Sequence, residues 1–169
     1  MSEKSTPAAL GAAVIEARQA GYLLSTDTDR LDFAAVHAYL TRSYWSPGIS
    51  RNLVERAAAN SLCFGLYREQ PPAAEQVGYA RVVTDRATFA YLADVYVLEA
   101  HRGQGLSKWL MRFITAHPDL QTLRRFLLGT RDAHGLYTRF GFGPLADPTR
   151  MMEILRPDAH LQALAAGLA

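Results

Sequence analysis

Along the chain the spacing of apolar and polar positions changes period several times, and each change predicts an element. "GYLLSTD", residues 21–27, is a short apolar run closed by Asp27 and Thr28. It reads as a first strand with helix-capping residues behind it. From Arg30 to Ser43 the apolar positions Phe33, Val36 and Leu40 fall at helical spacing, so an amphipathic helix is expected there. "SYWSPGIS" breaks that period with Pro47 and Gly48, and Ser50 is placed to cap a second helix carrying Leu53, Val54 and Ala57. "SLCFGLYRE" is a strand, and a Pro-containing turn, "QPPAAEQ", follows it. "VGYARVVTD" and "TFAYLADVYVLE" are two more strands, joined as a hairpin around Asp85 and Arg86.

A loop of small residues comes next, and then Leu106, Leu110, Phe113 and Ile114 line one face of a third helix. "LRRFLLGT" predicts a fifth strand, and "RDAHGLYTRF" a short helix ending near Gly141. Final strands are expected around "GFGPL" and "TRMMEILR". Three segments follow from this pattern: residues 1–19 as a tail or short alanine-rich helix, residues 20–156 as the folded domain, and residues 157–169 as a terminal helix rich in alanine and leucine. The element order predicts an α/β fold of the α+β kind. Its sheet is mixed, mostly antiparallel, with six to seven strands flanked by helices and one parallel pair across a crossover helix.

Composition narrows the class of function. The chain has 169 residues and a net charge of +2, with its basic residues scattered. Nucleic-acid and membrane-surface partners usually need a clustered basic face, so neither is expected. Cys63 is the single cysteine; it permits no internal disulfide and no cysteine-based metal site, and a reducing cytoplasm fits it best. The apolar run near the N-terminus is too short to span a bilayer, and Glu16 and Arg18 follow it directly.

The candidate chemistry begins at "LEAHRGQGLSKWL", residues 98–110. Gly103, Gly105 and Ser107 remove side chains just where a helix starts. Bare amides at a helix N-terminus can receive an anion, and the helix dipole adds roughly 0.3–1 kcal/mol. Arg102 and Lys108 could add charge. By itself the pattern also fits a tight turn. It lacks both the Gly-Lys-Ser/Thr ending of a P-loop and the third glycine of a dinucleotide-binding fingerprint.

"DVYVLEAHRGQGLSKWLM" resembles the acyl-CoA-binding signature of the GNAT superfamily of N-acetyltransferases, with Arg102, Gly105 and Ser107 at signature positions. Ser107 replaces the usual Gly/Ala but is still small. "DAHGLYTRFGF" resembles a second segment of that superfamily through Ala133, Leu136, Tyr137, Gly141 and Phe142. Together "SYWSPGIS", "NSLCFGLY" and "RDAHGLY" are similar to one bacterial-type branch.

The resemblance implies the GNAT fold and acetyl transfer from acetyl-CoA to a primary amine, of a small molecule or a protein, with no metal. A diphosphate would lie on the amides of Gly103, Gln104, Gly105, Leu106 and Ser107, flanked by Arg102 and Lys108. The pantetheine arm would run beside Val95, Tyr96 and Val97, with the Val97 amide facing the developing oxyanion. Tyr137 is implied as the acid for the leaving thiolate, or else it is a core aromatic. Asp94 is the candidate base, or else a strand-end carboxylate bound to a cationic neighbour. Tyr44 and Trp45 either wall the acceptor pocket or anchor their loop to the core. His134 reads as a solvated helix residue. Arg131 and Asp132 stand where many relatives carry a CoA-contacting asparagine. A homodimer through an edge strand or the C-terminal helix is a further expectation. The competing classes are an acyl-CoA sensor without turnover and a subunit that only assembles.

Overall fold

A computed structural model of the chain describes residues 13–167. Six strands lie side by side in chain order: β1 (Glu16–Gln19), β2 (Tyr22–Ser25), β3 (Leu62–Gln70), β4 (Ala73–Thr84), β5 (Phe89–Val97) and β6 (Arg125–Leu128). Every neighbouring pair is antiparallel except β5 and β6, which run parallel. A parallel pair needs a crossover, and α3 (Leu106–Thr115) supplies it. The expected mixed, mostly antiparallel sheet is the sheet observed.

Alternating side chains serve two helical layers. On one face Phe64, Leu66, Val77 and Val82 pack with Leu106, Leu110, Met111 and Ile114 of α3. Burying each such aliphatic side chain contributes roughly 1.5–3 kcal/mol. On the other face Cys63, Tyr79 and Tyr96 pack under α1 (Phe33–Leu40) and α2 (Arg51–Ala59). Ser50 caps α2, accepting from the Leu53 amide. The cap of α1 is Asp32, which accepts from the Ala34 and Ala35 amides. Asp27, the residue the sequence suggests, caps only a single 3-10 turn, Thr28–Arg30. The β4–β5 hairpin turns where expected. Asp85 accepts from the amides of Ala87, Thr88 and Phe89 and from the Thr88 hydroxyl. The hydroxyl and then those amides hold its carboxyl well below the usual carboxylate range.

Two expectations fail. Residues 1–12 lie outside the described residues, but Glu16–Gln19 is a strand and not part of a tail or helix. The cause is the turn: Ala20 and Gly21 have φ of 50° and 76°, and two consecutive positive φ values form the tight hairpin that twists with its strands. Thr26 and Ile15 close the hairpin's open end through two hydrogen bonds, so local geometry overrides the helical propensity of alanine and glutamate. The expected strands at "GFGPL" and "TRMMEILR" do not form either. Pro144 and Pro148 remove ladder donors, and Asp147 instead caps a 3-10 turn, Pro148–Arg150. Met152, Ile154 and Leu155 have no partner strand and stand 97%, 85% and 72% exposed. The sheet ends at β6. The terminal helix is present as α5 (Ala159–Ala165), its His160 Nε2 lying 2.8 Å from the Pro47 carbonyl. No described helix is long and apolar enough to cross a membrane.

Candidate active site

The parallel ladder is short. β6 pairs with Phe89–Leu92 only, so beyond Leu92 and Leu128 the two strands part. In the same stretch β5 bulges against β4: Arg81 pairs with Ala93 and Tyr79 with Tyr96, leaving Asp94 and Val95 opposite Ala80 alone. Asp94 takes a φ of 56° there, a conformation aspartate tolerates better than most residues. The result is a slot of about 450 Å³ between Ala93–Val95 and the segment 128–133, closed by Tyr44, Trp45 and Tyr137.

At the end of β5 the chain passes through a 3-10 turn, Glu99–His101, into the glycine loop. Gly103 and Gly105 both have φ of 79°, and nothing lies within 4 Å of where their side chains would begin. Their need for glycine is therefore conformational, since a left-handed residue with a Cβ costs roughly 1–2 kcal/mol. Gly105 is the N-cap of α3 and supplies no side-chain cap. The first intrahelical bond there runs from the Trp109 amide to the Gly105 carbonyl. The amides of Leu106, Ser107 and Lys108 thus open α3 without intrahelical acceptors. Leu106 is buried and fixes the helix to the core, while Lys108 is exposed.

The other predicted coenzyme residues divide. Gln104 accepts from the Tyr22 hydroxyl at 3.2 Å, and the same hydroxyl lies 2.9 Å from His101 Nδ1, so β2 steadies the loop. Arg102 points elsewhere than the helix amides. It donates to the Val97 carbonyl at 3.0 Å, and to the Tyr39 hydroxyl and Glu99 carboxylate at 3.1 Å each. Val95 and Val97 face the α3 layer, whereas Tyr96 faces α1, stacked on Tyr39 at 3.8 Å between ring centroids.

The side of the slot predicted to meet the acceptor is built from side chains. Asp94 accepts from Arg81 Nε at 2.7 Å and from Trp45 Nε1 at 3.1 Å. Its side chain is 10% exposed. Of its two readings, the geometry is that of a carboxylate bound to a cationic neighbour. Tyr44 accepts a bond from the Arg131 amide at 3.1 Å, and the Arg131 guanidinium lies over its ring at 3.9 Å. Tyr44 and Trp45 meet edge to face and both border the slot, so wall and anchor are one arrangement. Asp132 pairs loosely with Arg131, at 3.8 Å. Tyr137 lies on α4 (His134–Tyr137) and is 9% exposed. Burial, and then Tyr44 and Asp132, push its hydroxyl pKa up to about 12. His134 borders the neighbouring groove, not this slot. Among the described residues, no three His, Cys, Asp or Glu side chains group as a metal site.

Comparison with known proteins decides the family. The profile of the acetyltransferase (GNAT) domain matches residues 59–144, just over half of the chain. The chain belongs to the GNAT superfamily of acetyltransferases. A Gibberella zeae protein provisionally named an acetyltransferase is 34% identical over 133 residues, 69% of this chain and 75% of that protein. A Xanthomonas campestris pv. campestris crystal structure, provisionally assigned as a GNAT acetyltransferase, shares 48% identity. It covers 82% of this chain and 96% of its own, with a TM-score of 0.77. A Clostridium acetobutylicum protein crystallised with acetyl-CoA shares the fold at a TM-score of 0.55 and 15% identity, covering 79% of this chain and 94% of its own.

Sequence reasoning missed three residues of this GNAT site. Arg81 holds Asp94, Tyr39 holds Arg102, and Tyr22 holds Gln104. Each comes from a distant segment, and no local spacing signals it. The Arg81 pairing depends on the β5 bulge, which shifts the register by one residue.

Proposed function

We propose that this acetyltransferase moves the acetyl group of acetyl-CoA to a primary amine by direct attack, with both substrates bound together. The observation that carries the reading is the parting of β5 from β6 beyond Leu92 around a slot that Tyr137 lines, with the open glycine loop between β5 and α3. The features fit the coenzyme: nothing lies within 4 Å of where side chains would begin at Gly103 and Gly105, and the slot offers about 450 Å³.

Acetyl-CoA supplies an acyl group activated as a thioester. The amides of Gly103, Gln104, Gly105, Leu106 and Ser107 hold its diphosphate, and Lys108 adds charge. Val95, Tyr96 and Val97 present main-chain groups to the pantetheine arm, and the Val97 amide donates to the thioester oxygen as charge develops there. Arg102 braces the following peptide, donating to the Val97 carbonyl. Tyr137 gives its proton to the departing sulfur. Burial holds Tyr137 protonated near neutral pH. Tyr44 and Trp45 wall the acceptor, with Trp45 oriented by Asp94. In this reading Asp94 positions rather than abstracts.

The buried free thiol of Cys63 suits a reducing cytoplasm. The open edge of β6 and the exposed Met152, Ile154 and Leu155 suit a homodimer, which light scattering reads directly. The deciding experiment is calorimetric titration with acetyl-CoA, followed by thiol release in the presence of primary amines. Association with release supports transfer; association without release on any amine makes the protein a sensor.

A further inference from the structure

The slot is rich in charge yet poor in groups that can take a proton. From β4 comes Arg81 and from the β5 bulge Asp94, joined at 2.7 Å. The second carboxylate oxygen of Asp94 accepts from the Trp45 indole, so each oxygen already has a donor. From the segment after β6 come Arg131 and Asp132, paired at 3.8 Å. The remaining titratable lining groups are the phenols Tyr44, Tyr91 and Tyr137, and burial raises the pKa of Tyr137 to about 12. The lining charges therefore cancel: two guanidinium groups against two carboxylates. Among the described residues no imidazole borders the slot.

Proton balance turns this census into a statement about substrate. When a neutral amine attacks, the carbon–nitrogen bond forms, the carbon–sulfur bond breaks and sulfur takes the Tyr137 proton. The nitrogen then has one surplus proton, and the tyrosinate needs one. The cycle closes with no other base. An ammonium carries a second surplus proton, which must leave before attack, and each carboxylate lining the slot already faces a guanidinium. Resting on the transferase reading above, we propose that this slot acetylates amines that arrive already neutral. These are weakly basic amines such as the α-amine of a peptide or amino-acid amide, in preference to the ε-amine of lysine.

The magnitudes favour a clear outcome. At pH 7 an amine of pKa 7.7–8.0 is neutral in roughly one molecule in six to eleven, and a lysine amine of pKa 10.4 in about one in 2,500. The ratio is about 200- to 400-fold, part of it offset by the greater nucleophilicity of the more basic amine.

The test is kcat/KM for thiol release, from pH 6 to 10, with a set of dipeptide α-amines and a set of Nα-blocked lysine peptides. At pH 7 the α-amines are expected to be faster on the order of 100-fold. The lysine rate should climb about tenfold per pH unit without a plateau, and Asp94→Asn should leave that slope unchanged. Equal rates at pH 7, or a lysine rate that levels off below pH 8, reveal an enzyme base and overturn the inference while leaving the transferase reading intact. Silence with both sets at every pH overturns the transferase reading and this inference with it.

Discussion

The two halves of the candidate site are made of different material. At the coenzyme end Gly103, Gly105 and the first turn of α3 offer backbone, with nothing within 4 Å of the missing side chains. At the proposed acceptor end Trp45, Arg81 and Asp94 come from three segments and hold one another through side chains, and Arg131 lies over Tyr44. Backbone amides recognise an anion of fixed shape, and α3, anchored by Leu106, keeps them in place at little cost. A side-chain network is what defines an acceptor, because changing one residue changes its shape and charge. On the proposed function the common part of the reaction rests on the main chain, and the selective part on tertiary contacts.

Breaking the link between the ends gives the largest expected effect. Tyr137→Phe keeps the ring against Phe142 and removes only the hydroxyl. We expect kcat to fall by roughly 10²–10⁴-fold, with the acetyl-CoA Kd from calorimetry unchanged. A variant that turns over normally would take Tyr137 out of the chemistry and return it to the core. Next in size is Gly105→Val, which tests the backbone end alone. A side chain at φ of 79° costs roughly 1–2 kcal/mol of stability. The lost bonds to a charged diphosphate should weaken acetyl-CoA roughly 10- to 100-fold. The acceptor KM should not move. Thermal melting with and without acetyl-CoA separates the two consequences.

The same contrast explains what could be read from sequence. The coenzyme end is legible because its requirements are local: glycine is needed where φ is positive, and Gly103 and Gly105 announce it two residues apart. The helix and strand periods around it were legible for the same reason. The acceptor end was half visible. Tyr44 and Trp45 stand out as adjacent aromatics beside Pro47 and Gly48, and Asp94 as a charge within an apolar strand. Their partners do not, since Arg81 reaches Asp94 only after β5 has bulged and folded back on β4. Glu16–Gln19 escaped notice because its composition favours helix, and the Ala20–Gly21 turn decides otherwise. "TRMMEILR" misled in the opposite direction: it has the composition of a strand and no neighbour to pair with.

A smaller effect sharpens the acceptor end. Trp45→Phe removes the 3.1 Å bond to Asp94 while leaving an aromatic wall. One such bond is worth about 1 kcal/mol, so the acceptor KM should rise roughly fivefold, with acetyl-CoA affinity and the slope of the pH profile preserved. A change in the slope would mean that Asp94 takes part in proton transfer after all.

The smallest effect asks whether the coenzyme end is backbone through and through. Lys108 is exposed in the first turn of α3, where a cation is placed unfavourably for the helix dipole and gains only by facing an anion. An exposed charge pair contributes about 0.2–1 kcal/mol. Lys108→Ala should therefore weaken acetyl-CoA no more than about fivefold, and salt should erase most of the difference, because screening at 0.1 M acts over about 10 Å. The Gly105→Val defect, by contrast, should persist at high salt, since hydrogen-bond geometry is not screened away. Calorimetric titration of both variants at low and high ionic strength makes the comparison. A lysine defect larger than the glycine defect would mean that charge, and not bare amide, holds the diphosphate.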